Sequence, residues 1–509
     1  MDRKLAIFED VKMFLEEKGR FPTWKEIESD IGVPRRTIRR YFNTYQELMD
    51  QILSSGEVLF TEERAKSVKD VVKKHKRFIV TTAVAGAPVF TDALKAVKNY
   101  CKRKEAALLI TPCSDPAANM SEGLGELVNE NIVFENTDLN SNIAIYALKL
   151  SAKQINPITG LGRIGQRNKS FIFASPKQSL EYVPVGNNRL PHALMSTGAI
   201  TLPDYNTDRY MSKRTAFIAE HDHVLGGIIV EIDGKDIYHF RTIEFNSDGS
   251  FTDMGTRFYA DGKCKKFPVK NLTLGDWHCG HTEPTVKEST MKLIEMLRPE
   301  NLTLHDVFQG DSVNHHVLKK VITRSQINKP SILEEGKILK DDLEKFHKLV
   351  PNIHIVKSNH DEWLDRYLEE GSYPFDSLNF ETSHILALAK KNGIDPLKKL
   401  MELCQLKAPV NFNKRDQDLV FCGVQYGCHG DFMHKGMSYS QLERAYAKAT
   451  AGHRHTAGIL RGVRFVGTST KLRESYATGP ISWTNTHEIL NEDGSRQLIN
   501  IINGRYCLC

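Results

Sequence analysis

Three stretches of the C-terminal half decide the fold: NLTLGDWH at 271–278, NLTLHDVFQGD at 301–311 and NIHIVKSNHD at 352–361. Each stretch begins as an apolar run typical of a strand and ends in Asp, Asn or His side chains. In open α/β sheets, binding sites form beyond the carboxyl ends of the strands. The three stretches therefore predict an α/β region whose strands deliver polar side chains to one shared site.

Five short motifs within residues 267–509 place ligand-type side chains at or after a predicted strand. They are Gly275-Asp276-Trp277-His278, Gly310-Asp311, Asn359-His360-Asp361, His429-Gly430 and Gly452-His453-Arg454-His455. In the first and last motifs the ligand-type residues alternate with another residue, and in extended backbone such side chains project from the same side. Carboxylate, amide and imidazole donors together suit Mn²⁺, Zn²⁺ or Fe²⁺. Any one motif alone could be a turn or a helix cap, but together they predict a site for divalent cations.

The order and spacing of the motifs resemble those of the calcineurin-like metallophosphoesterases, and the resemblance covers residues 267–509. It implies a two-sheet phosphoesterase domain with two divalent metal ions, for which Mn²⁺ is expected and Mg²⁺, Zn²⁺ and Fe²⁺ are alternatives. The ligands implied by the resemblance are Asp276, His278 and His455 for the first ion, Asn359, His429 and His453 for the second, and Asp311 as the bridge.

The same resemblance implies roles for two catalytic residues. His360 is expected near the leaving oxygen of the substrate, and Asp361 is expected to orient the His360 ring. The chain departs from the family pattern at Ser358, where glycine is usual, and at Asn314, where many members have a carboxylate. Neither departure removes an expected metal ligand.

Within the superfamily, the C-terminal half is similar to the nuclease branch that includes SbcD-type exonucleases. The overall layout also resembles host-genome-degrading DNases of tailed phages. These resemblances imply a nuclease that hydrolyses DNA with metal-activated water, assembles as a homo-oligomer (a dimer is expected) and works in the cytoplasm of an infected bacterium. The alternatives are a phosphomonoesterase or small-molecule phosphodiesterase, which would use the same metal site, and a non-catalytic DNA-binding protein.

Residues 1–77 predict an all-α helix-turn-helix domain. Thr23-Trp24-Lys25-Glu26 is a capping box that opens one helix, and RRTIRRYF at 35–42 predicts the next helix after Pro34. The arginines Arg35, Arg36, Arg39 and Arg40 share this short helix with no acidic residue. We expect them to contact DNA phosphates, although the same fold also serves oligomerisation.

Residues 78–266 predict a mixed α/β domain of unknown role. FIVTTAVAG and AALLITPC read as strands on either side of a helix, and GGIIVEIDGKDIYHFRTIEF at 226–245 reads as a hairpin that turns at Asp233-Gly234. The string GLGRIG at 160–165 matches a dinucleotide fingerprint, but the strand that follows it favours a loop. Further along, residues 364–415 predict a helical insertion that is either a lid or a structural element.

Composition excludes several classes of protein. Hydrophobic residues make up 40% and charged residues 26%, as is typical of globular chains. No apolar run approaches the length of a membrane span and no export signal is evident, so we expect a cytoplasmic protein without a membrane partner and with reduced cysteines. The net charge of +6 permits a polyanionic partner without requiring one.

Changing Arg35, Arg36, Arg39 and Arg40 to glutamate is expected to weaken DNA binding and to flatten its salt dependence. Each contact between an arginine and a phosphate releases counterions from the DNA. The loss of such contacts therefore makes the slope of log K against log salt concentration less steep. Fluorescence anisotropy with labelled duplex DNA over a series of NaCl concentrations measures that slope. A slope equal to that of the unchanged protein would favour oligomerisation as the role of this helix.

Overall fold

The computed structural model describes residues 7, 10–11, 23–29, 32–41, 68–113, 124, 127, 130–148, 150–165, 169–186, 190–205, 213–315, 322, 329–371, 373–431, 438–473 and 479–508. The chain divides into two compact units, Met1–Val71 and Val72–Cys509. No helix in the described ranges is both long and apolar enough to cross a membrane.

The N-terminal unit contains helices α1 (Trp24–Ser29) and α2 (Arg35–Tyr41). The predicted capping box is confirmed, because the Thr23 amide donates to Glu26 Oε2 at 2.7 Å and the Glu26 amide donates to Thr23 Oγ1 at 3.3 Å. Between the helices Gly32 has a φ of 72°, a left-handed turn that glycine adopts readily. Arg36 and Arg40 are exposed on α2, whereas the side chains of Arg35 and Arg39 lie outside the description.

The larger unit is mixed α/β, which confirms the α/β class. Its strands are β1 (Arg77–Val84), β2 (Ala106–Cys113), β3 (Asn131–Ile132), β4 (Thr137–Asp138), β5 (Ile143–Tyr146), β6 (Ser170–Phe173), β7 (Gln178–Val183), β8 (His192–Thr197), β9 (Gly226–Asp233), β10 (Ile237–Glu244), β11 (Phe251–Asp253), β12 (Thr256–Phe258), β13 (Cys264–Lys266), β14 (Val269–Thr273), β15 (Asn301–His305), β16 (Asn352–Val356), β17 (Val410–Asn413), β18 (Val420–Phe421), β19 (Val424–Gln425), β20 (Ala449–Ala451), β21 (Gly458–Leu460), β22 (Val463–Phe465), β23 (Thr486–Asn491) and β24 (Arg496–Asn500).

The helices of this unit precede or connect these strands. They are α3 (Thr91–Lys104), α4 (Gly162–Gly165), α5 (Lys213–His221), α6 (Pro284–Leu297), α7 (Ile332–His347), α8 (Asp361–Glu369), α9 (Phe380–Lys391), α10 (Pro396–Leu403) and α11 (Tyr439–Tyr446), with 3₁₀ turns at Asp311–Val313 and Tyr373–Phe375.

A five-stranded sheet, in the order β10-β9-β1-β2-β3, begins the unit. Strands β1 and β2 pair in parallel on either side of α3, so the predicted βαβ unit is confirmed. Strands β9 and β10 pair antiparallel with Asp233 opposite Ile237, which confirms the predicted hairpin. Strands β11, β12 and β13 form a small sheet of their own.

A six-stranded sheet carries the three stretches that opened the sequence analysis. Its order is β17-β16-β15-β14-β23-β24, with β14 to β17 parallel and β23 antiparallel to both β14 and β24. Leu272, Leu302 and Ile353 on one face are buried in a core with Leu293 of α6 and Leu343 of α7. The parallel strands therefore end together along one edge of this sheet.

The helical insertion belongs to the same core. Leu364 of α8, Leu386 of α9 and Leu400 of α10 are buried in it, and the chain then continues into β17 at the edge of the six-stranded sheet. Burial of one face of each helix is the pattern of a structural element. The packing thus favours the structural role of residues 364–415 over the lid.

A ten-stranded sheet joins the middle and C-terminal regions. Its order is β18-β19-β20-β22-β21-β7-β8-β6-β5-β4, and the junction is an antiparallel pairing of Ile459 with Leu180 and of Leu460 with Ser179. This differs from the predicted division into separate domains at 78–266 and 267–509, since both regions share one sheet and one compact unit. Pairing between strands so distant in the chain leaves no local sequence signal.

The six- and ten-stranded sheets are linked by a buried polar contact. Glu488 of β23 accepts hydrogen bonds from the Tyr426 hydroxyl at 2.9 Å and from Thr450 Oγ1 of β20 at 2.9 Å. Near this contact the backbone of Gly275 lies against Gly467, with no room for a side chain at either residue. The link brings the ends of β19 and β20 toward the ends of β14, β15 and β16.

Gly467→Ala is expected to destabilise the protein, because a Cβ at this position would lie 1.9 Å from the Thr484 carbonyl oxygen. Overpacking of this kind costs about 1–3 kcal/mol of unfolding free energy. The matched control is Gly186→Ala, whose Cβ would meet no atom of the described part of the chain within 4 Å. Urea unfolding, followed by circular dichroism, gives the unfolding midpoint of each variant. Equal midpoints would contradict the close approach of the Gly467 and Thr484 backbones.

Candidate metal centre

The candidate site lies beyond the carboxyl ends of five strands. Strand β15 runs directly into Asp306, and Asp276 follows β14 after a short turn. Because Leu272 pairs with Leu302 and Thr273 with Thr303, the two aspartates occupy equivalent positions beyond their strands. Asn359 follows β16, while His429 follows β19 and the segment with His453 and His455 follows β20, so both large sheets contribute to one site.

Backbone hydrogen bonds continue the pairing of β14 and β15 into the site. The Trp277 amide donates to the His305 carbonyl at 3.0 Å, and the His278 amide donates to the Asp306 carbonyl at 2.7 Å. On the other side, the Asp276 amide donates to the Gly467 carbonyl at 3.1 Å. Asp276 and His278 are therefore held on a backbone that is fixed from both sides.

Two groups of side chains converge there, and Asp306 belongs to both. In each group every residue offers one ligand atom, and these atoms lie within 4.8 Å of one another. The first group is Asp276, His278, Asp306 and His455, and the second is Asp306, His429 and His453. All of these side chains are buried except that of His453, which is half-buried.

The distances in the first group suit a cation. His278 Nε2 lies 3.2 Å from His455 Nε2, and His455 Nε2 lies 3.3 Å from Asp276 Oδ2. The second carboxylate oxygen of Asp276 is buried and has no hydrogen-bond partner among the described residues. A buried polar atom without a partner is costly, and a cation among these nitrogens and oxygens would remove that cost.

The second group includes an amide that was expected from the sequence. His429 Nε2 lies 3.1 Å from Asp306 Oδ2 and 3.0 Å from Asn359 Oδ1, and His453 Nδ1 lies 3.2 Å from the same amide oxygen. The structure thus brings Asn359, His429 and His453 together with Asp306. Imidazole nitrogens, an amide oxygen and a carboxylate form a donor set that suits a divalent transition metal.

Burial and mutual charge shift the pKa values of these groups. Burial lowers the pKa of His278 to about 3, which keeps its ring neutral. For Asp306, burial acts to raise the pKa, but the positive charges of His429 and His360 outweigh it and hold the pKa well below its usual range. For His429, burial acts to lower the pKa, but the carboxylates of Asp306 and Asp276 outweigh it and raise the pKa to about 9. An ionised Asp306 and a neutral His278 are in the state that binds metal, whereas His429 must lose its proton when a metal binds.

The backbone is strained at four residues of the site. His278, Asp306, His453 and His455 have φ values of 46°, 44°, 70° and 53°, in the left-handed region that side chains other than glycine rarely adopt. Such residues cost about 1–3 kcal/mol each and cluster at functional sites. Beside them Gly452 leaves no space for a side chain, since a Cβ would lie 2.2 Å from Asp276 Oδ1.

Asp311, the expected bridge, belongs to neither group. Its carboxylate accepts hydrogen bonds from His281 Nε2 at 2.7 Å and from Gln309 Nε2 at 3.3 Å, and Asp306 stands at the shared position. Gly310-Asp311 matches the motif that the resemblance implies, but these residues lie well beyond the end of β15. The repeated NLTL at 271–274 and 301–304, each followed by one residue and then Asp, is the sequence signal that identifies Asp306.

His360 lies beside the first group. Its Nδ1 donates to the Gln309 carbonyl at 2.9 Å, and its ring stacks on Trp363 with 4.0 Å between centroids. The ring centroid lies 4.7 Å from that of His278. These contacts fix the ring and leave Nε2 as the nitrogen available for proton transfer.

Asp361 does not orient His360 as expected. Its buried carboxylate accepts hydrogen bonds from the Phe308 amide at 3.2 Å, the Ser358 amide at 3.1 Å and Ser358 Oγ at 2.8 Å. Burial raises the pKa of Asp361 to about 7. Asp361 therefore ties together the loops after β15 and β16, and Ser358, the departure from the family pattern, is one of its donors.

An open cavity of 590 Å³ borders the site at His453. Glu181 of β7 and Tyr439 of α11 line it together with Arg454. The Arg454 guanidinium lies over the ring of Phe465 at 4.4 Å and over the ring of Tyr439 at 5.0 Å. The middle and C-terminal regions thus jointly form the open space beside the candidate ligand His453.

One known protein is similar to the chain over most of its length. The chain is 26% identical over 478 residues to "Protein A1" of Escherichia phage T5, which covers 86% of this chain and 83% of that protein. No family model matches the chain, and no solved structure matches it. Phage origin of a relative is thus established, whereas the likeness to phosphoesterases depends on the motifs and on the geometry of the site.

Asp306→Asn is expected to weaken Mn²⁺ binding by more than the roughly 10–100-fold lost when a residue that merely supports a ligand is replaced. The reason is that Asp306 is the carboxylate common to both groups. Isothermal titration with Mn²⁺ measures the affinity, and circular dichroism checks the fold. Asp311→Asn is the matched control and should bind Mn²⁺ within about tenfold of the unchanged protein. The opposite order of the two variants would restore Asp311 as the bridge.

Proposed function

We propose that the protein is a DNA nuclease that hydrolyses phosphodiester bonds with two divalent metal ions. Mn²⁺ is the first candidate for these ions. The observation that carries the proposal is the position of Asp306, a buried carboxylate shared by two adjacent groups of ligands. Two neighbouring cation sites can clamp the attacking and leaving oxygens of an in-line displacement at phosphorus.

Divalent ions held by these residues would act as Lewis acids on the phosphoryl oxygens and lower the pKa of water. The residues of the chain contribute the rest. Asp276, His278 and His455 hold their ligand atoms in a buried, pre-set arrangement, so little reorganisation is needed during reaction. His360, fixed by the Gln309 carbonyl and by Trp363, presents Nε2 to protonate or stabilise the leaving oxygen.

Three features support DNA as the substrate. The cavity beside His453 is open and has Arg454 in its wall, which provides a positive charge for a phosphate backbone. Exposed Arg36 and Arg40 on α2 suit sequence-independent contact with phosphates. Similarity to a phage protein supports degradation of host DNA in the bacterial cytoplasm during infection as the biological setting. Assembly as a homodimer is part of the same proposal.

The second candidate is a phosphomonoesterase or small-molecule phosphodiesterase, because the same ligands would serve either reaction. Arg454 is the residue that would distinguish the nuclease from this second candidate. A cation at the rim of an open cavity suits a long polyanion, whereas a small ester is bound in an enclosed pocket. The openness of the cavity at His453 and the presence of Arg454 in its wall therefore support the nuclease.

Purified protein with Mn²⁺ is expected to degrade linear or circular DNA and to cleave bis(p-nitrophenyl) phosphate faster than p-nitrophenyl phosphate. His360→Ala should retain Mn²⁺ in titration but lose about 10²–10⁴ in turnover, the range for a lost acid–base group. Gel assays and release of nitrophenol with Mn²⁺, Mg²⁺ or chelator measure these rates.

Asp306→Asn serves as the inactive control for contaminating nucleases. Hydrolysis of the monoester alone would support the second candidate, and cleavage of DNA that persists in chelator would contradict a metal-dependent reaction. Loss of Mn²⁺ from His360→Ala would instead make His360 a ligand.

A further inference from the structure

A second cavity, of 410 Å³, lies behind Trp483. The Trp483 ring lines this cavity and also meets the ring of His455 edge-to-face, with 4.3 Å between centroids. Trp483 thus contacts both the cavity and a candidate metal ligand. Its other walls come from both halves of the larger unit, including Ser170 and Tyr182 of the middle region and Asn500 of β24.

The walls of this cavity have the chemistry of a site for a planar, uncharged, polar group. Aromatic rings of Tyr182, Tyr238 and Trp483 line it, together with the amide side chains of Asn142, Asn485, Asn500 and Asn503. Among the described lining residues none is Lys or Arg, and Asp236 is the carboxylate among them. Aromatic faces and amides that both donate and accept are the groups that stack on nucleobases and read their edges.

Hydrogen bonds within the walls fix which polar atoms face a ligand as donors or acceptors. The Tyr182 hydroxyl accepts from Asn500 Nδ2 at 2.8 Å, and Ser170 Oγ accepts from the Tyr238 hydroxyl at 2.6 Å and from the Ala193 amide at 2.9 Å. Each accepting hydroxyl keeps its own hydrogen to donate. Asn142 donates through Nδ2 to the Asp236 carbonyl at 2.7 Å, which leaves its amide oxygen as an acceptor.

We propose that this cavity binds the nucleobase of a nucleotide whose phosphate lies at the metal centre. The inference rests on the proposed nuclease function and extends it, because it assigns base recognition to residues of the middle region. Trp483 provides the stacking surface, and the fixed hydroxyl and amide groups contact the base edge. A cavity of 410 Å³ is within the size range of sites for small organic ligands. A base that enters it must leave the stack of the duplex or come from a strand end.

Binding of free nucleosides to the chelated full-length protein tests this directly, since neither metal nor hydrolysis is needed. We expect adenosine, guanosine, cytidine or thymidine to bind in isothermal titration in EDTA and to change tryptophan fluorescence, whereas ribose 5-phosphate does not bind. Trp483→Ala should weaken nucleoside binding at least about fivefold, as expected for a lost base–aromatic contact. The matched control is Phe375→Ala, which removes an aromatic ring that is 88% exposed and does not line the cavity.

Asn142→Ala provides a second variant at an exposed residue, in case loss of the indole disturbs the His455 segment. It should weaken binding of nucleosides and leave the midpoint of urea unfolding unchanged. The proposal would be overturned if the unchanged protein bound no nucleoside. It would also be overturned if Trp483→Ala and Asn142→Ala bound nucleosides as tightly as the unchanged protein does. The outcome is independent of the nuclease assay: nucleoside binding without DNA cleavage would reject the nuclease and keep a nucleobase site.

Discussion

The register between β14 and β15 is the constraint on which the metal centre depends. Leu272 pairs with Leu302, and the backbone hydrogen bonds continue beyond the strands as far as His278 and Asp306. Both aspartates therefore reach the same edge of the sheet at the same height. A slip by one residue would move one of the carboxylates to the opposite face. The histidines of the other sheet could then not converge on a pair of carboxylates.

Convergence of these groups has a cost that the rest of the fold must offset. Two carboxylates and several imidazoles are buried together, and four of the residues hold left-handed backbone conformations. The surrounding structure supplies rigidity through the packed glycines at 275 and 467 and through Glu488 between the sheets. Functional sites commonly keep such strain at the expense of stability.

Local patterns predicted the elements well, and tertiary pairing decided what they could not. The capping box at Thr23, the βαβ unit and the hairpin each depend on residues close in sequence, and each is confirmed. The Gly310-Asp311 string matches the expected motif, but only the register of β14 and β15 identifies Asp306 as the carboxylate that reaches both groups. The partners of Asp361 are backbone and side-chain groups of two loops, so only their spatial arrangement reveals its role. The sharing of one sheet by β7 and β21 is likewise a long-range fact.

That shared sheet has a consequence for any attempt to dissect the molecule. An excised fragment that began near residue 267 would lack β7, and the edge of β21 would then present unpaired amide and carbonyl groups to solvent. Exposed edges of this kind recruit further strands and lead to aggregation. The C-terminal half is therefore unsuited to transfer as an independent domain, and the two halves should be expressed and engineered as one piece.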